Sequence, residues 1–210
     1  MSAGVDYSLA AAFDYALKGR RSVRKYRPDP VPDEDLAAIL EAARWAPSPH
    51  NSEPWRFVVL RTREAKERLA AAMGQRWVQD LAGDGWTAEA IERELRVSRR
   101  RITEAPIVVV ACLVDEGLDQ YPDPKRQLAE QLMAAHSLGA AVQNVMVGAY
   151  ARGLGTCWMC APLFCPEVVL EALGLPADFK PQGLITLGYP VAWPEARERR
   201  PMPELVVEVG

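Results

Sequence analysis

Apolar and polar positions follow two periods along this chain, helical and strand-like, with prolines marking most of the breaks. The spacing predicts a first helix over 7–17, stopped by Gly19 as a C-terminal glycine. Residues 20–26 follow, and Pro28, Pro30 and Pro32 make an extended connector. Asp33 is placed to cap a second helix, in which Leu36, Ile39, Leu40 and Ala43 share one face and which ends before Pro47. Residues 46–54 read as a loop rich in Pro, Ser and Asn. Residues 55–60 read as a strand, and 107–114 as a second, apolar throughout and so buried on both faces. Helical segments lie between them, one opened by Thr87 with Glu89 in its first turn. A long helix over 125–150 carries Leu128, Leu132, Ala135, Val142, Val145, Met146 and Ala149 nearly all round, which places it in the core or at a subunit interface. A short strand over 156–159, a helix from Pro166 to near Gly174, and strands over 183–189 and 205–209 complete the pattern.

Helices and strands do not alternate strictly, so the expected class is α+β rather than a doubly wound parallel sheet. No G-x-G-x-x-G follows a strand and no P-loop is present, so a dinucleotide-binding sheet has no support. A length of 210 residues fits a single domain, with 76–104 as a helical elaboration and candidate lid. The net charge of -3 argues against a nucleic-acid partner. Residues 1–12 lack a basic stretch followed by an apolar run, and the apolar-rich 138–150 is broken by Gln143 and Asn144. Neither a signal peptide nor a membrane span is expected. Four cysteines with no secretion signal point to free thiols in a reducing cytoplasm.

Several groups could carry chemistry. Arg20, Arg21, Ser22 and Arg24 lie just past a helix end, and guanidinium groups match phosphate geometry. Arg197, Arg199 and Arg200 form a second basic cluster. Each cluster alone also reads as a solvated turn; their convergence on one phosphate is the sharper idea. The stiff loop with Pro47, Ser48, Pro49, Asn51 and Ser52 offers short donors and acceptors suited to the polar edge of a heterocycle. Arg93, Arg96 and Arg100 share a helix face that suits either solvent or an anionic ligand. Trp77 is a candidate substrate lid. Cys157 and Cys160 point to opposite faces of a strand, and Cys165, His50 and His136 lack a paired spacing, so no metal site and no catalytic dithiol is expected. His136 reads as a core or interface residue.

The order of an R-x-S-x-R turn, a P-S-x-x-N-S-x-P-W loop, a G-L-G-T-C-W segment and a late R-x-R-x-P stretch resembles the nitroreductase family from about residue 18 onward. That resemblance implies an α+β fold with a mostly antiparallel central sheet flanked by helices, an intertwined homodimer, and FMN bound between protomers. Arg20, Arg21, Ser22 and Arg24 would then hold the phosphate and ribityl chain, with Arg197 and Arg199 completing the phosphate site. Pro47, Ser48, Pro49 and Asn51 would reach the flavin ring from the partner, and Cys160 and Ala161 would place a backbone N–H near flavin N5. The C-terminal strand, over 204–210, would be exchanged with the partner subunit. The implied cycle passes a hydride from NAD(P)H through FMN to a small organic acceptor, so no catalytic side chain is required. Arg76-Trp77, Asp80-Leu81 and Asp84-Gly85 look further like the nitroreductase-like domain of FbiB, which implies a dehydro precursor of a deazaflavin coenzyme as acceptor, with Trp77, Arg96 and Arg100 on the substrate side. Three other readings stay open: a broad nitro or quinone reductase, a flavin- or deazaflavin-binding protein without turnover, and, ranked below these, oxidative flavin cleavage as in benzimidazole-forming enzymes.

Overall fold

A computed structural model describes residues 7–209. The reading of a missing leader over 1–12 therefore falls half outside the described residues. Six α-helices and four β-strands follow in the order α1 (Tyr7–Gly19), α2 (Asp33–Arg44), β1 (Trp55–Leu60), α3 (Arg63–Gly83), α4 (Ala88–Thr103), β2 (Ile107–Leu113), α5 (Pro124–Tyr150), β3 (Gly155–Met159), α6 (Pro166–Leu173) and β4 (Lys180–Gly188). The strands form one sheet in the order β1-β2-β4-β3, and all three pairings are antiparallel. This is an α+β architecture, as the lack of strict alternation predicts.

The apolar strand β2 is buried at every position because both faces of the sheet are covered. Its odd-numbered residues Ile107, Val109 and Ala111 meet α2 and α5, packing with Ile39, Ala141, Val142 and Val145. Its even-numbered residues Val108, Val110 and Cys112 meet α3, α4 and α6 through Leu69, Met73, Ile102 and Val169. The pleat alternation of one strand thus feeds two separate cores. Lys66 of α3 is buried between them and the α4–β2 junction. Its Nζ donates to Ala105 O at 2.6 Å and Pro106 O at 3.2 Å, and burial pushes its ammonium pKa down. Lys66→Met keeps the shape and removes the donor from two carbonyls. It is expected to cost about 1–3 kcal/mol in urea unfolding; a change below about 0.5 kcal/mol would show the bonds to be dispensable.

Three expectations are corrected. Asp33 is not a cap: Pro32 holds the N-cap position of α2, no side chain caps it, and Asp33 is the first helical residue. Residues 205–209 form no strand in this chain; Met202–Glu204 is a single 3-10 turn, and Leu205, Val206, Val207 and Val209 stay exposed with no sheet edge beside them. His136 is exposed on α5, which removes the core reading of it and not the interface one. Among the described residues no helix is long and apolar enough to cross a membrane.

Candidate functional site

Helix α1 ends at Gly19, where the Tyr150 ring leaves no room for a side chain: a Cβ there would overlap the phenol. The chain then turns onto the free edge of β3. Val23 is buried and its N–H donates to Thr156 O at 2.8 Å, while Ser22 forms a parallel bridge with Thr156. Gly155 makes this approach possible, since a Cβ at that position would sit 2.7 Å from the Val23 side chain. Tyr26 fixes the turn from behind. Its Oη donates to Val23 O at 2.6 Å and lies 2.7 Å from Thr186 Oγ1, and burial pushes its phenol far above the ordinary range, so it stays a neutral donor.

Five arginines gather around this turn. The Arg20 pKa is lowered first by burial, then by the charge of Arg199, then by Arg21. One residue of the late basic cluster, Arg199, therefore comes within electrostatic reach of the early one. Burial pushes the Cys157 thiol up, and the charges of Arg24, Arg101 and Arg20 act against that rise, so these three also surround one point. Among the described residues none of Arg20, Arg21, Arg24, Arg101 and Arg199 pairs with a carboxylate, whereas Arg27, Arg56, Arg61, Arg76, Arg96 and Arg100 all do. Arg21 Nη1 donates to Lys18 O at 2.6 Å and Arg20 O at 2.8 Å, but Nε of both Arg20 and Arg21 is buried without a partner. Two orphaned guanidinium N–H groups under mutual repulsion suit a multivalent anion such as a phosphate, which would satisfy the donors and relieve the repulsion together. Ser22, Arg24 and Arg197 are exposed at the same turn or its tail. Arg101, at the end of α4, joins the group only through folding; nothing in its helical spacing distinguishes it from Arg99 or Arg100.

The Pro/Ser/Asn loop adopts a 3-10 turn at Pro49–Asn51. His50, Asn51 and Glu53 all take positive φ, at 53°, 53° and 44°. Such values are costly for residues other than glycine and persist where the surroundings over-determine them, often at ligand clamps. Here the Glu53 N–H donates to Ser48 Oγ at 3.0 Å, which closes the loop on itself. Ser52 Oγ is buried without a partner. Arg44, Trp45, Ala46, Pro47, Asn51 and Glu53 line a depression of about 470 Å³ beside the loop.

The two halves stand at opposite corners of the sheet. Trp55, where the loop enters β1, lies level with Leu113 and Lys180, whereas Gly155, where the turn meets β3, lies level with Gly188 beyond the other end of β2. With β1 and β3 as the two edges, the corners are about 14 Å apart across the sheet and about 23 Å along the strands. One chain does not bring the basic turn and its own loop together. Cys160 and Ala161 are exposed at the far end of β3 from the turn, so the turn and this pair mark the two ends of one edge strand.

The expected substrate residues lie on α3 and α4. Trp77 is half-buried in the regular helix α3, not in a loose segment. Arg76 is engaged by Asp80 at 3.2 Å and Glu167 at 3.0 Å, so the Arg76-to-Asp80 pattern serves helix packing. Arg96 binds Glu92 at 2.6 Å and Arg100 binds Glu104 at 3.1 Å, which turns the predicted basic face into local pairs. Arg96 and Arg99 border a separate groove of about 310 Å³ between α3 and α4. The four cysteines are free, and desolvation pushes every thiol up, with Cys112 at about 12, so neither Cys157 nor Cys160 is held as a thiolate. Cys157 is buried and Cys160 exposed.

Comparison with known proteins bears on this arrangement. Residues 17–189 match the nitroreductase family. The chain is 32% identical to a 5,6-dimethylbenzimidazole synthase of Rhodospirillum rubrum, over 95% of this chain and 89% of the relative. It is 33% identical to an NADH dehydrogenase of Thermus thermophilus, over 91% and 93%. Among solved structures, a protein described as a nitroreductase from Desulfovibrio desulfuricans, in complex with FMN, is 27% identical with a TM-score of 0.70, covering 94% of this chain and 96% of that one. A BluB-like flavoprotein from Clostridium difficile shares the fold with a TM-score of 0.78 at 24% identity, over 99% and 100%. These similarities point to the family at large, not specifically to FbiB. The residues that suggested FbiB, Arg76 to Asp80, are accounted for by helix packing.

Proposed function

Because the chain belongs to the nitroreductase family, we propose that it is an FMN-dependent oxidoreductase that transfers electrons from NAD(P)H to a small organic acceptor. The observation that carries this reading is the set of carboxylate-free arginines with two orphaned buried N–H groups at the edge of β3. When bound, FMN supplies the hydride chemistry itself. Arg20, Arg21, Arg24 and Arg199, with Arg197 and the Ser22 hydroxyl, hold the phosphate and the adjoining ribityl oxygens by charge-assisted bonds. Cys160 and Ala161, at the far end of β3 from the turn, would offer backbone N–H groups to the ring edge.

The functional unit in this reading is a homodimer. Pro47, Ser48, Pro49 and Asn51 stand across the sheet from β3 of their own chain, and a two-fold axis would bring the partner's loop to the flavin ring. The exposed apolar residues support the same assembly: Leu9, Phe13 and Tyr15 on α1, Leu128, Leu132 and Met133 on α5, and Leu205, Val206, Val207 and Val209 in the tail are side chains that a subunit interface would cover. The tail would then find its strand partner on the other subunit.

A second reading, oxidative cleavage of flavin to a benzimidazole, is favoured by the 32% identity to the R. rubrum synthase. A dehydro precursor of the deazaflavin coenzyme is the most specific reductive acceptor. One experiment separates these. The protein is reconstituted with excess FMN, desalted and assayed with NADH and NADPH against a nitroaromatic, the deazaflavin precursor and oxygen, with products followed by chromatography. Flavin retained near one FMN per protomer with turnover of an acceptor is the expected result. A benzimidazole product from FMN and oxygen would favour cleavage. Retained flavin without NAD(P)H oxidation or product would indicate a binding protein, and no retained flavin would overturn the proposal.

A further inference from the structure

After β4 the chain runs back along the basic turn. Arg27 N–H donates to Tyr189 O at 2.8 Å, Val191 N–H donates to Lys25 O at 3.1 Å, and Tyr26 bridges Pro190. Beyond Val191 this pairing stops. Among the described residues the backbone of 192–200 makes no hydrogen bond, and its side chains are exposed. One specific contact remains in that stretch. The Trp193 indole meets the Tyr150 ring edge-on, with centroids 5.0 Å apart at 73°.

Tyr150 is unusually placed to receive it. It is the last residue of α5 and fills the space over Gly19, immediately before Arg20. It also packs against Tyr15 of α1, with ring centroids 5.8 Å apart at 46°. One side chain therefore touches the helix end that presents Arg20 and Arg21 and the tail that presents Arg197 and Arg199. Without an anchor at 193, the tail from 192 onward is free chain, and the entropic cost of bringing Arg199 to Arg20 rises with the length of that segment.

We propose that Trp193 is a positioning residue for the anion site: seated on Tyr150, it holds the following segment so that Arg199 joins Arg20 and Arg21 around the phosphate of the bound mononucleotide. This rests on the FMN reading above and deepens it, because it locates affinity for the phosphate, as opposed to the ring, in an aromatic contact outside the site.

FMN and riboflavin share the ring and differ in the phosphate, so they separate this role from a general structural one. Titration of apoprotein by flavin fluorescence quenching gives both dissociation constants. Trp193→Ala is expected to weaken FMN about tenfold while riboflavin changes less than about twofold. Trp193→Phe, which keeps an aromatic edge, is expected to restore FMN binding. Arg199→Ala added to Trp193→Ala is expected to weaken FMN little further, since the same contact is already lost. Equal loss of FMN and riboflavin, an unchanged FMN constant in Trp193→Ala, or full additivity with Arg199→Ala would each overturn the proposal. If wild-type protein binds neither flavin, it is the FMN reading that fails, before any variant is compared.

Discussion

The double replacement Arg20→Ala/Arg24→Ala is expected to release FMN from the protein while leaving it folded. Each arginine removed takes away a charge-assisted interaction with the phosphate worth about 1.5–3 kcal/mol, so the pair should raise the dissociation constant by about two to four decades. The fold should survive because neither side chain makes an ion pair and Arg20 is held against repulsion from Arg199 and Arg21. Removing that repulsion costs the apoprotein nothing electrostatically. The turn itself is held by the Val23–Thr156 hydrogen bond and by Tyr26, and both remain. Equilibrium dialysis with FMN, read beside a thermal melt of the apoprotein, checks both halves. Unchanged flavin retention would mean the phosphate sits elsewhere, and a collapsed melting transition would mean the arginines are structural.

Leu132→Glu is expected to split the proposed dimer and lose the flavin with it. Leu132 is 50% exposed on α5, one turn from the exposed Leu128 and beside Met133. In a two-fold interface each substitution occurs twice. An unpaired carboxylate buried in an apolar contact costs about 3–5 kcal/mol, so two would shift the dimer constant by about four decades or more. The monomer should keep the α+β fold, because the change lies on a face that its own core does not use. It should nevertheless bind FMN weakly, because the loop at Pro47–Asn51 cannot reach its own basic turn. Sedimentation of the variant with and without FMN tests this. A folded, FMN-saturated monomer would rule out a shared site, and an unperturbed dimer would remove the α5 face from the interface.

Much of the architecture was legible from local rules. Strand β2 shows as an unbroken apolar run because burial on both faces leaves no polar alternation to read. Thr87 caps α4 through the Ala90 N–H, and Pro166 opens α6, because helix ends demand those residue types wherever they occur. The errors arose where a local signal had a second use. Asp33 looks like a cap, but in an acidic first turn the preceding Pro32 takes that place. Arg96 and Arg100 look like a basic face, and neighbouring glutamates one turn away absorb them. The apolar run over 205–209 has strand composition, yet a strand needs an edge, and none is offered to it within one chain.

By itself, then, the sequence determined the class of the fold, the positions of most elements, and the order of motifs that resembles the nitroreductase family. It also named the two basic clusters and the stiff loop. Only the tertiary structure decided which of these meet. Arg199 reaches Arg20 because the tail pairs with 25–27 and Trp193 rests on Tyr150. The turn lies on β3 because Gly155 has no side chain to exclude Val23. The loop stands at the opposite corner because sheet order, which depends on contacts between distant residues, puts β1 and β3 on different edges. Periodicity and capping act over a few residues and can be read along the chain. Convergence depends on packing between segments far apart in sequence, and that becomes visible only once the chain is folded.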